Sequence, residues 1–345
     1  MKLYRWITSI FILVSNAHTV FGQPALQGAG ATFPYPLYSK MFDIYHKEYG
    51  VKVNYQSIGS GGGIRQIKAK TVDFGASDGF ITDKELKGFS NPVVHIPITA
   101  GADVIAYNLP GNPKLKLSPD VIADIFLGKI IKWDNPQIRK INPYIKLPDM
   151  NIFVVHRSDG SGTTFIFTDY LSKVSSGWKQ KVGRGKSVNW PVGLGAKGNE
   201  GVAGLIRQLP GAIGYIELAY AIQNKMAYTL VQNKSGKFVE PKIETISLAA
   251  ETELPEDMRI SITNTDSEEG YPIAGFTWII VYKDLSTNIK SKEKAKVLVQ
   301  LLWWMTNKAQ KYCAPLLYAP LSKRAQEKAE KLIKSLSYKG ETLLR

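Results

Sequence analysis

The sequence predicts an α/β protein of two domains, and three observations support this. Apolar strand-like segments are repeatedly followed by segments with helical spacing, which is typical of a parallel sheet covered by helices. The chain has 345 residues, and about 320 residues after an N-terminal leader correspond to two ordinary domains. A single cysteine, Cys313, excludes an intrachain disulfide framework and is expected to be a small core residue.

The first 22 residues have the layout of a cleavable signal peptide. Lys2 and Arg5 precede an apolar run from Trp6 to Val14, which is too short for a stable transmembrane span. No cysteine stands directly after the expected cut near Gly22, so we expect export to the periplasm without a lipid anchor. Cleavage removes two cations and no acids, so the net charge falls from +15 to +13.

The positive charge of the mature chain is scattered over helices. It forms no arginine stripe with interleaved aromatic residues, so we do not expect a nucleic-acid partner. For an exported protein, a diffuse positive field that attracts small anions is the better interpretation.

The elements of the first half alternate between helix and strand. In order, the pattern predicts a helix over 34–49, a strand over 51–56, a glycine turn, helix and short strand over 59–78, a strand within 93–111, and a helix over 118–128. In the last of these, Ser118 can cap the helix, Pro119 starts it and Gly128 ends it.

The second half continues the alternation. The pattern predicts a strand over 151–156, a helix over 164–174, a strand and helix over 211–226, weak signals over 231–271, a strand over 275–283, and two helices that include 297–306 and 325–336. Trp303 and Trp304 lie in the first of these two helices, and their apolar setting favours a place in the core.

Catalytic motifs around the turn at residues 157–164 fail on their spacing. Ser161 is flanked directly by Gly160 and Gly162, whereas a nucleophile elbow needs G-x-S-x-G. The mature histidines belong to no recognisable partner motif; they are His46, His95 and His156. Neither this turn nor the glycine turn near Ser60 contains the lysine of a phosphate-binding P-loop.

A lone G-x-G-x-x-G occurs at Gly193, Gly195 and Gly198, with Glu217 near the distance of a ribose-binding acid. It does not follow a clear first strand, because a proline interrupts the preceding segment, so we interpret it as an ordinary helix N-terminus. Three separated histidines and one cysteine give no metal-ligand spacing. Paired carboxylates for glycoside chemistry stay open, because sequence distance does not give spatial distance.

Three turns combine glycines with hydroxyl residues, and each is expected where a strand leads into a helix. They are GAGATFP around Thr32 and Phe33, SIGSGGG around Ser60, and RSDGSGTT around Ser161 to Thr163. Each could be a simple cap. A helix N-terminus nevertheless presents unpaired N–H groups and a partial positive charge, so the three turns with Arg157 and Asp78 could enclose a small oxyanion.

These segments resemble the periplasmic phosphate-binding proteins of high-affinity phosphate ABC transporters, the PstS family. The similarity runs through GAGATFPYPLYSKMFDIYHKE, VNYQSIGSGGGIRQI, TVDFGASD, LGKIIKWDNPQI, RSDGSGTTFIFTDYL, WPVGLGAKGNEGVAGLIRQLPGAIGYIE and GFTWIIVYKD, and so covers nearly the whole mature chain.

The resemblance implies a periplasmic-binding-protein type II fold, in which two α/β lobes enclose the anion in a cleft and are joined by two hinge crossings. Lobe 1 would comprise residues 23–103 and 272–345, and lobe 2 residues 104–271. It also implies a monomeric, non-enzymatic receptor without a cofactor. Its partners would be inorganic phosphate and the inner-membrane permease with its cytoplasmic ATPase.

The resemblance also implies a set of phosphate-binding residues, with Asp159 pairing with and orienting the arginine; the set is Thr32, Phe33, Ser60, Asp78, Arg157, Ser161, Gly162 and Thr163. Asp78 would accept a proton from the ligand. A carboxylate can only accept, so it favours an oxyanion that still carries a proton and disfavours sulfate.

Two alternatives stay open at this stage, a receptor for another oxyanion such as sulfate or molybdate and an exported phosphatase. The sequence departs from many relatives at Gly79-Phe80, where an Ala-Pro pair is common, and at His156, where an arginine often precedes Arg157. Neither departure removes a proposed ligand contact.

Overall fold

A mixed nine-stranded sheet organises residues 25–344, the part of the chain that the computed structural model describes; the predicted signal peptide lies outside it. The strands are β1 (Leu26–Gly30), β2 (Val53–Ser57), β3 (Phe74–Ser77), β4 (Val93–Tyr107), β5 (Lys116–Leu117), β6 (Phe153–Arg157), β7 (Leu194–Ala196), β8 (Ala212–Glu217), β9 (Ala227–Tyr228), β10 (Leu230–Gln232), β11 (Phe238–Val239), β12 (Ala274–Tyr282), β13 (Ser337–Tyr338) and β14 (Glu341–Thr342).

Helices lie between most of these strands. They are α1 (Tyr35–Tyr49), α2 (Ser60–Lys68), α3 (Asp83–Leu86), α4 (Pro119–Phe126), α5 (Pro136–Ile141), α6 (Gly162–Val174), α7 (Ser176–Lys181), α8 (Gly198–Gln208), α9 (Leu218–Gln223), α10 (Ile243–Ala250), α11 (Lys292–Thr306) and α12 (Lys323–Lys334), with 3₁₀ turns at Leu285–Thr287, Lys308–Tyr312 and Ala314–Leu316.

The strand order of the large sheet is β2-β1-β3-β12-β4-β8-β6-β7, with β9 also paired to β4. Its two ends are parallel, as β1 pairs with β2 and β3, and β6 with β7 and β8. Its centre is antiparallel, because β12 runs against both β3 and β4, and β4 runs against β8. The prediction of a parallel sheet is therefore wrong for the central strands, which are not joined by the helical crossovers that parallel pairing requires.

Strand β4 connects the two halves of this sheet. Its 15 residues pair with β12 as far as Ala102 and with β8 from Asp103 onward. The second long central strand, β12, begins at Ala274 after an irregular segment and pairs with both β3 and β4. The chain thus passes from one half of the sheet to the other between Ala102 and Asp103.

Most predicted elements are confirmed within a few residues, including α1, α4, α6, β12 and α11. Ser118 does occupy the N-cap of α4, but its side chain makes no capping hydrogen bond. Cys313 and Trp304 are buried as expected, whereas Trp303 is only half-buried. Among residues 25–344, no helix is both long and apolar enough to cross a membrane.

Candidate functional site

The three glycine-hydroxyl turns lie where the sequence predicts them, each between a strand and the helix that follows it. The turn at Thr32 joins β1 to α1, the turn before Ser60 joins β2 to α2, and the turn ending at Ser161 joins β6 to α6. Ser161 is the N-cap of α6, and its Oγ accepts a hydrogen bond of 3.0 Å from Thr164 N–H. A capping role and an anion-binding role are compatible here, since the first N–H groups of the helix remain directed out of its end.

Arg157 ends strand β6 and is 3 % exposed. Its Nε and Nη2 donate to the two carboxylate oxygens of Asp159 at 2.7 and 2.5 Å, and its Nη1 donates to Thr163 Oγ1 at 3.2 Å. Burial opposes the charge of the guanidinium, but the hydrogen bonds and charge of Asp159 outweigh it, so the pKa of Arg157 is raised. The two-point contact also fixes the plane of the cation, as predicted for Asp159.

Asp78 follows strand β3 and is almost fully buried. Its Oδ1 accepts a hydrogen bond of 2.7 Å from Thr277 Oγ1, and its Oδ2 a long one of 3.4 Å from Ser60 Oγ. Burial raises the pKa of this carboxyl to about 7, although Thr277, Arg157 and Ser60 act in the opposite direction. Above that pH, Asp78 is an ionised acceptor beside a buried cation.

Close backbone approach explains two of the glycines in the turns. A methyl group on Gly162 would lie 2.5 Å from Asp78 Cβ and 2.6 Å from Asp78 N. Gly59 has a φ of +83°, and a methyl group there would lie 2.2 Å from Asp159 Oδ2. The second turn, before Ser60, therefore packs against the third, which ends at Ser161. Gly61 N–H donates to Gly160 O across this contact at 2.7 Å.

Sequence reasoning missed two residues at the centre of this cluster. Thr277 lies within the apolar strand β12, and its single hydroxyl among apolar residues was the only feature of the sequence that could have indicated it. Asn199, the second residue of α8, donates from Nδ2 to Thr32 Oγ1 at 2.8 Å and to Thr163 Oγ1 at 3.1 Å. Its position in the G-x-G-x-x-G segment gave no reason to select it.

The predicted residues consequently form one connected group. Asn199 joins the first turn to the third, Arg157 contacts Thr163 and Asp159, and Asp78 contacts Ser60 and packs against Gly162. Phe33 lies beside Thr32 with its ring fully buried, and its carbonyl oxygen accepts from Tyr318 Oη at 2.7 Å.

The G-x-G-x-x-G segment has a structural place that differs from a dinucleotide fingerprint. Gly193 immediately precedes β7 and Gly195 lies within it, and Gly198 begins α8 and donates its N–H to Asp159 at 3.1 Å. Glu217 is buried and caps α9: its Oε2 accepts from Ala219 N–H at 2.9 Å and lies 3.0 Å from Tyr318 Oη. The interpretation as a helix N-terminus is confirmed.

Two further buried carboxyl groups lie beside the site. Asp103 and Glu217 are direct cross-strand partners on β4 and β8, and both are fully buried. Within residues 25–344, neither oxygen of Asp103 and only one of Glu217 has a hydrogen-bond partner. Burial first, and then the nearby charge of Asp78, raises the pKa of both groups well above the usual range.

The two histidines nearest the site make structural contacts. His95 is buried, its Nε2 accepts from Ile81 N–H at 3.1 Å, and burial lowers its pKa to about 3. The His156 ring stacks on Trp190 with centroids 4.8 Å apart. Neither ring contacts Ser161, whose oxygen is engaged in the cap of α6. Residues 25–344 contain no group of three or more His, Cys, Asp or Glu placed to hold a metal ion.

Comparison with known proteins gives one consistent result. The family model described as the PBP superfamily domain matches residues 15–306. A phosphate-binding protein PstS of Pasteurella multocida is 44% identical over 327 residues, covering 93% of this chain and 92% of the relative. PstS of Haemophilus influenzae is 47% identical over 302 residues, covering 86% and 89%, and PstS of Methanocaldococcus jannaschii is 40% identical over 309 residues, covering 83% and 79%.

Solved structures share the fold at low sequence identity. The high-affinity periplasmic phosphate-binding protein PfluDING, bound with phosphate, has a TM-score of 0.71 and 20% identity, covering 89% of this chain and 93% of that one. A phosphate-bound putative phosphate ABC transporter substrate-binding protein of Clostridium perfringens has a TM-score of 0.64 and 16% identity, covering 87% and 100%. The predicted periplasmic-binding-protein type II fold is confirmed.

Proposed function

Because the chain belongs to the PstS family of phosphate-binding proteins, we propose that it binds inorganic phosphate at the cluster around Arg157 and Asp78 for delivery to a phosphate ABC transporter. The observation that carries the proposal is that one buried cation, Arg157, and one buried acceptor, Asp78, belong to the same cluster of neutral donors. Arg157 supplies positive charge in a water-poor environment, and Asp78 accepts a proton that phosphate has and sulfate lacks.

The proposed donors lie at three helix starts. They are Thr32 and the backbone of Phe33 in the first turn, Ser60 in the second, and Ser161, Gly162 and Thr163 in the third. A phosphate oxygen at a helix start accepts hydrogen bonds from N–H and O–H groups that the helix itself leaves unpaired. Asp159 holds Arg157 in a fixed plane and offsets part of its charge.

Two lobes that close on the anion fit the path of the chain. We assign residues 23–103 with 272–345 to lobe 1 and 104–271 to lobe 2, because β4 changes partner between Ala102 and Asp103. Several hydrogen bonds would then join the lobes. Tyr220 Oη donates to Thr32 O at 2.7 Å, and Lys186 Nζ donates to Phe80 O at 2.9 Å. Opening would break these contacts and expose the site.

The remaining parts of the proposal are those of a transport receptor. The protein would be exported by its predicted signal peptide, act as a monomer without a cofactor, and present its closed form to a membrane permease with a cytoplasmic ATPase. No catalytic step is assigned, since the relatives are named as binding proteins and the Ser161 hydroxyl oxygen serves as a helix cap.

Calorimetric titration of the mature chain tests the proposal. Bound ligand is first removed by reversible unfolding and dialysis, and the refolded protein is titrated with phosphate, arsenate and sulfate at pH 8. We expect one tight site for phosphate, comparable binding of arsenate, and much weaker binding of sulfate. Absence of phosphate binding in refolded protein would refute the proposal, and release of phosphate from a phosphomonoester would favour the phosphatase instead.

A further inference from the structure

Two threonine hydroxyls of the site have both of their acceptor positions occupied. Thr32 Oγ1 receives hydrogen bonds from Asn199 N at 3.3 Å and from Asn199 Nδ2 at 2.8 Å. Thr163 Oγ1 receives hydrogen bonds from Arg157 Nη1 at 3.2 Å and from Asn199 Nδ2 at 3.1 Å. A hydroxyl has two acceptor lone pairs and one proton. When both lone pairs are occupied, the remaining interaction of each hydroxyl is donation of its proton.

The amide of Asn199 can have only one orientation in this network. Its Oδ1 accepts a hydrogen bond of 2.9 Å from Glu217 N–H. A backbone N–H can only donate, so the atom facing it must be the amide oxygen and not the nitrogen. Nδ2 is thereby directed at the two threonines, with one N–H for each. Asn199 itself is fully buried, so water does not compete for these positions.

We propose that Asn199 is a positioning residue that turns the hydroxyl protons of Thr32 and Thr163 toward the bound anion and so determines where the ligand can carry its own proton. A proton on the ligand cannot be directed at either hydroxyl, because neither hydroxyl can accept it. A ligand proton must therefore be directed elsewhere, and the carboxylate of Asp78, which follows β3 whereas Asn199 lies in α8, is an acceptor for it. This inference rests on the proposed phosphate site and adds to it a rule for the protonation pattern of the ligand.

A double-mutant cycle tests the mechanism. Asn199→Leu removes both amide donors at similar size and without adding charge, and it leaves the threonine hydroxyls free to rotate. We expect it to weaken phosphate binding about 10-fold in the otherwise unchanged chain. In a chain carrying Thr32→Val and Thr163→Val, which has no hydroxyls to orient, we expect the same substitution to change the dissociation constant less than about twofold.

Conservative substitutions provide the matched control. In a chain carrying Thr32→Ser and Thr163→Ser, the hydroxyls are retained, so Asn199→Leu should again cost about 10-fold. Asn199→Asp should cost more than Asn199→Leu, because a carboxylate accepts the hydroxyl protons and turns them away from the anion, and also repels it. Melting temperatures of all ligand-free variants identify any that fail to fold, and the single variants Thr32→Val and Thr163→Val replace the double variant in the cycle if it does not fold.

The outcomes separate this inference from the proposed function. The positioning role is supported if the unchanged chain binds phosphate and if Asn199→Leu lowers phosphate affinity in every background except the valine one. An equal loss in the valine and serine backgrounds would show that Asn199 is merely structural, and no loss in either would show that it is unimportant. Either of the latter results overturns the inference while leaving the phosphate site intact. Failure of the unchanged chain to bind phosphate would instead refute the proposed function.

Discussion

Gly162→Ala should impair ligand binding while leaving the ligand-free protein stable. The added methyl carbon would lie 2.5 Å from Asp78 Cβ, about 0.9 Å inside the 3.4 Å at which ordinary contact begins. Asp78 N, a backbone atom, would be only 2.6 Å away, so no flexible side-chain end can move aside. In the proposed assignment, Gly162 and Asp78 belong to different lobes, and the methyl group would hold those lobes apart.

The expected loss follows from hydrogen-bond geometry. A displacement of about 0.9 Å lengthens a bond of 2.9 Å beyond the range in which a hydrogen bond persists. Loss of one or two charge-assisted bonds, worth about 2–3 kcal/mol in total, raises the dissociation constant for phosphate about 30- to 150-fold. Titration calorimetry measures this change, and thermal unfolding of the ligand-free protein should show little difference, since an open cleft accommodates the methyl group.

The matched control is Gly204→Ala in α8, where a methyl group would have no neighbour within 4 Å. It should leave phosphate affinity unchanged and raise stability by about 0.5–1 kcal/mol through helix propensity. Unaltered phosphate affinity in Gly162→Ala would contradict the close approach of Gly162 to Asp78. So would an equal loss of affinity in both variants.

Three further predictions concern charge. Arg157→Lys should weaken phosphate binding about 10- to 100-fold in calorimetry, because an ammonium cannot make the two-point contact with Asp159; unchanged affinity would contradict this. Sulfate binding should strengthen about tenfold from pH 8 to pH 6, as the Asp78 carboxyl, with its pKa near 7, gains a proton to donate; a flat sulfate profile argues against it. The pKa of Asp103 is raised in the folded protein, so this carboxyl makes the parent chain less stable as pH rises. Relative to the parent, Asp103→Asn should therefore gain about 1–3 kcal/mol in free energy of unfolding between pH 5 and pH 8, measured by urea unfolding. A difference in stability that does not change with pH would count against this.

Local sequence patterns predicted most of the helices and strands and all three turns. Glycines and hydroxyl residues occur between a strand and a helix for a direct structural reason. The turn requires the glycine, and the start of the helix requires a hydroxyl as its cap. The antiparallel centre of the sheet was not predictable in this way. The pairing of β12 with β3 and β4 joins segments far apart in sequence, and an apolar strand carries no signal of its direction.

The candidate site was predicted to a similar extent. Arg157 and Ser161 to Thr163 are close in sequence, so one motif contained both cation and donors. The sequence placed Asp78 with the three turns, but its role as acceptor came from the family resemblance, and its contact with Thr277 depends on pairing between distant strands. Asn199 acts on two turns that are 167 and 36 residues away along the chain. Its role follows from a hydrogen-bond pattern that only the folded structure displays.

The central claim is that the buried Asp78 carboxylate makes the site select phosphate over sulfate. The most direct test compares both anions by calorimetry at pH 8 in ligand-free parent protein and in Asp78→Asn, which keeps the size of the side chain and removes an acceptor. We expect phosphate binding to weaken about 100-fold or more in the variant while sulfate binding holds or improves, so that the preference largely disappears. A preference for phosphate that is unchanged in Asp78→Asn would contradict the account.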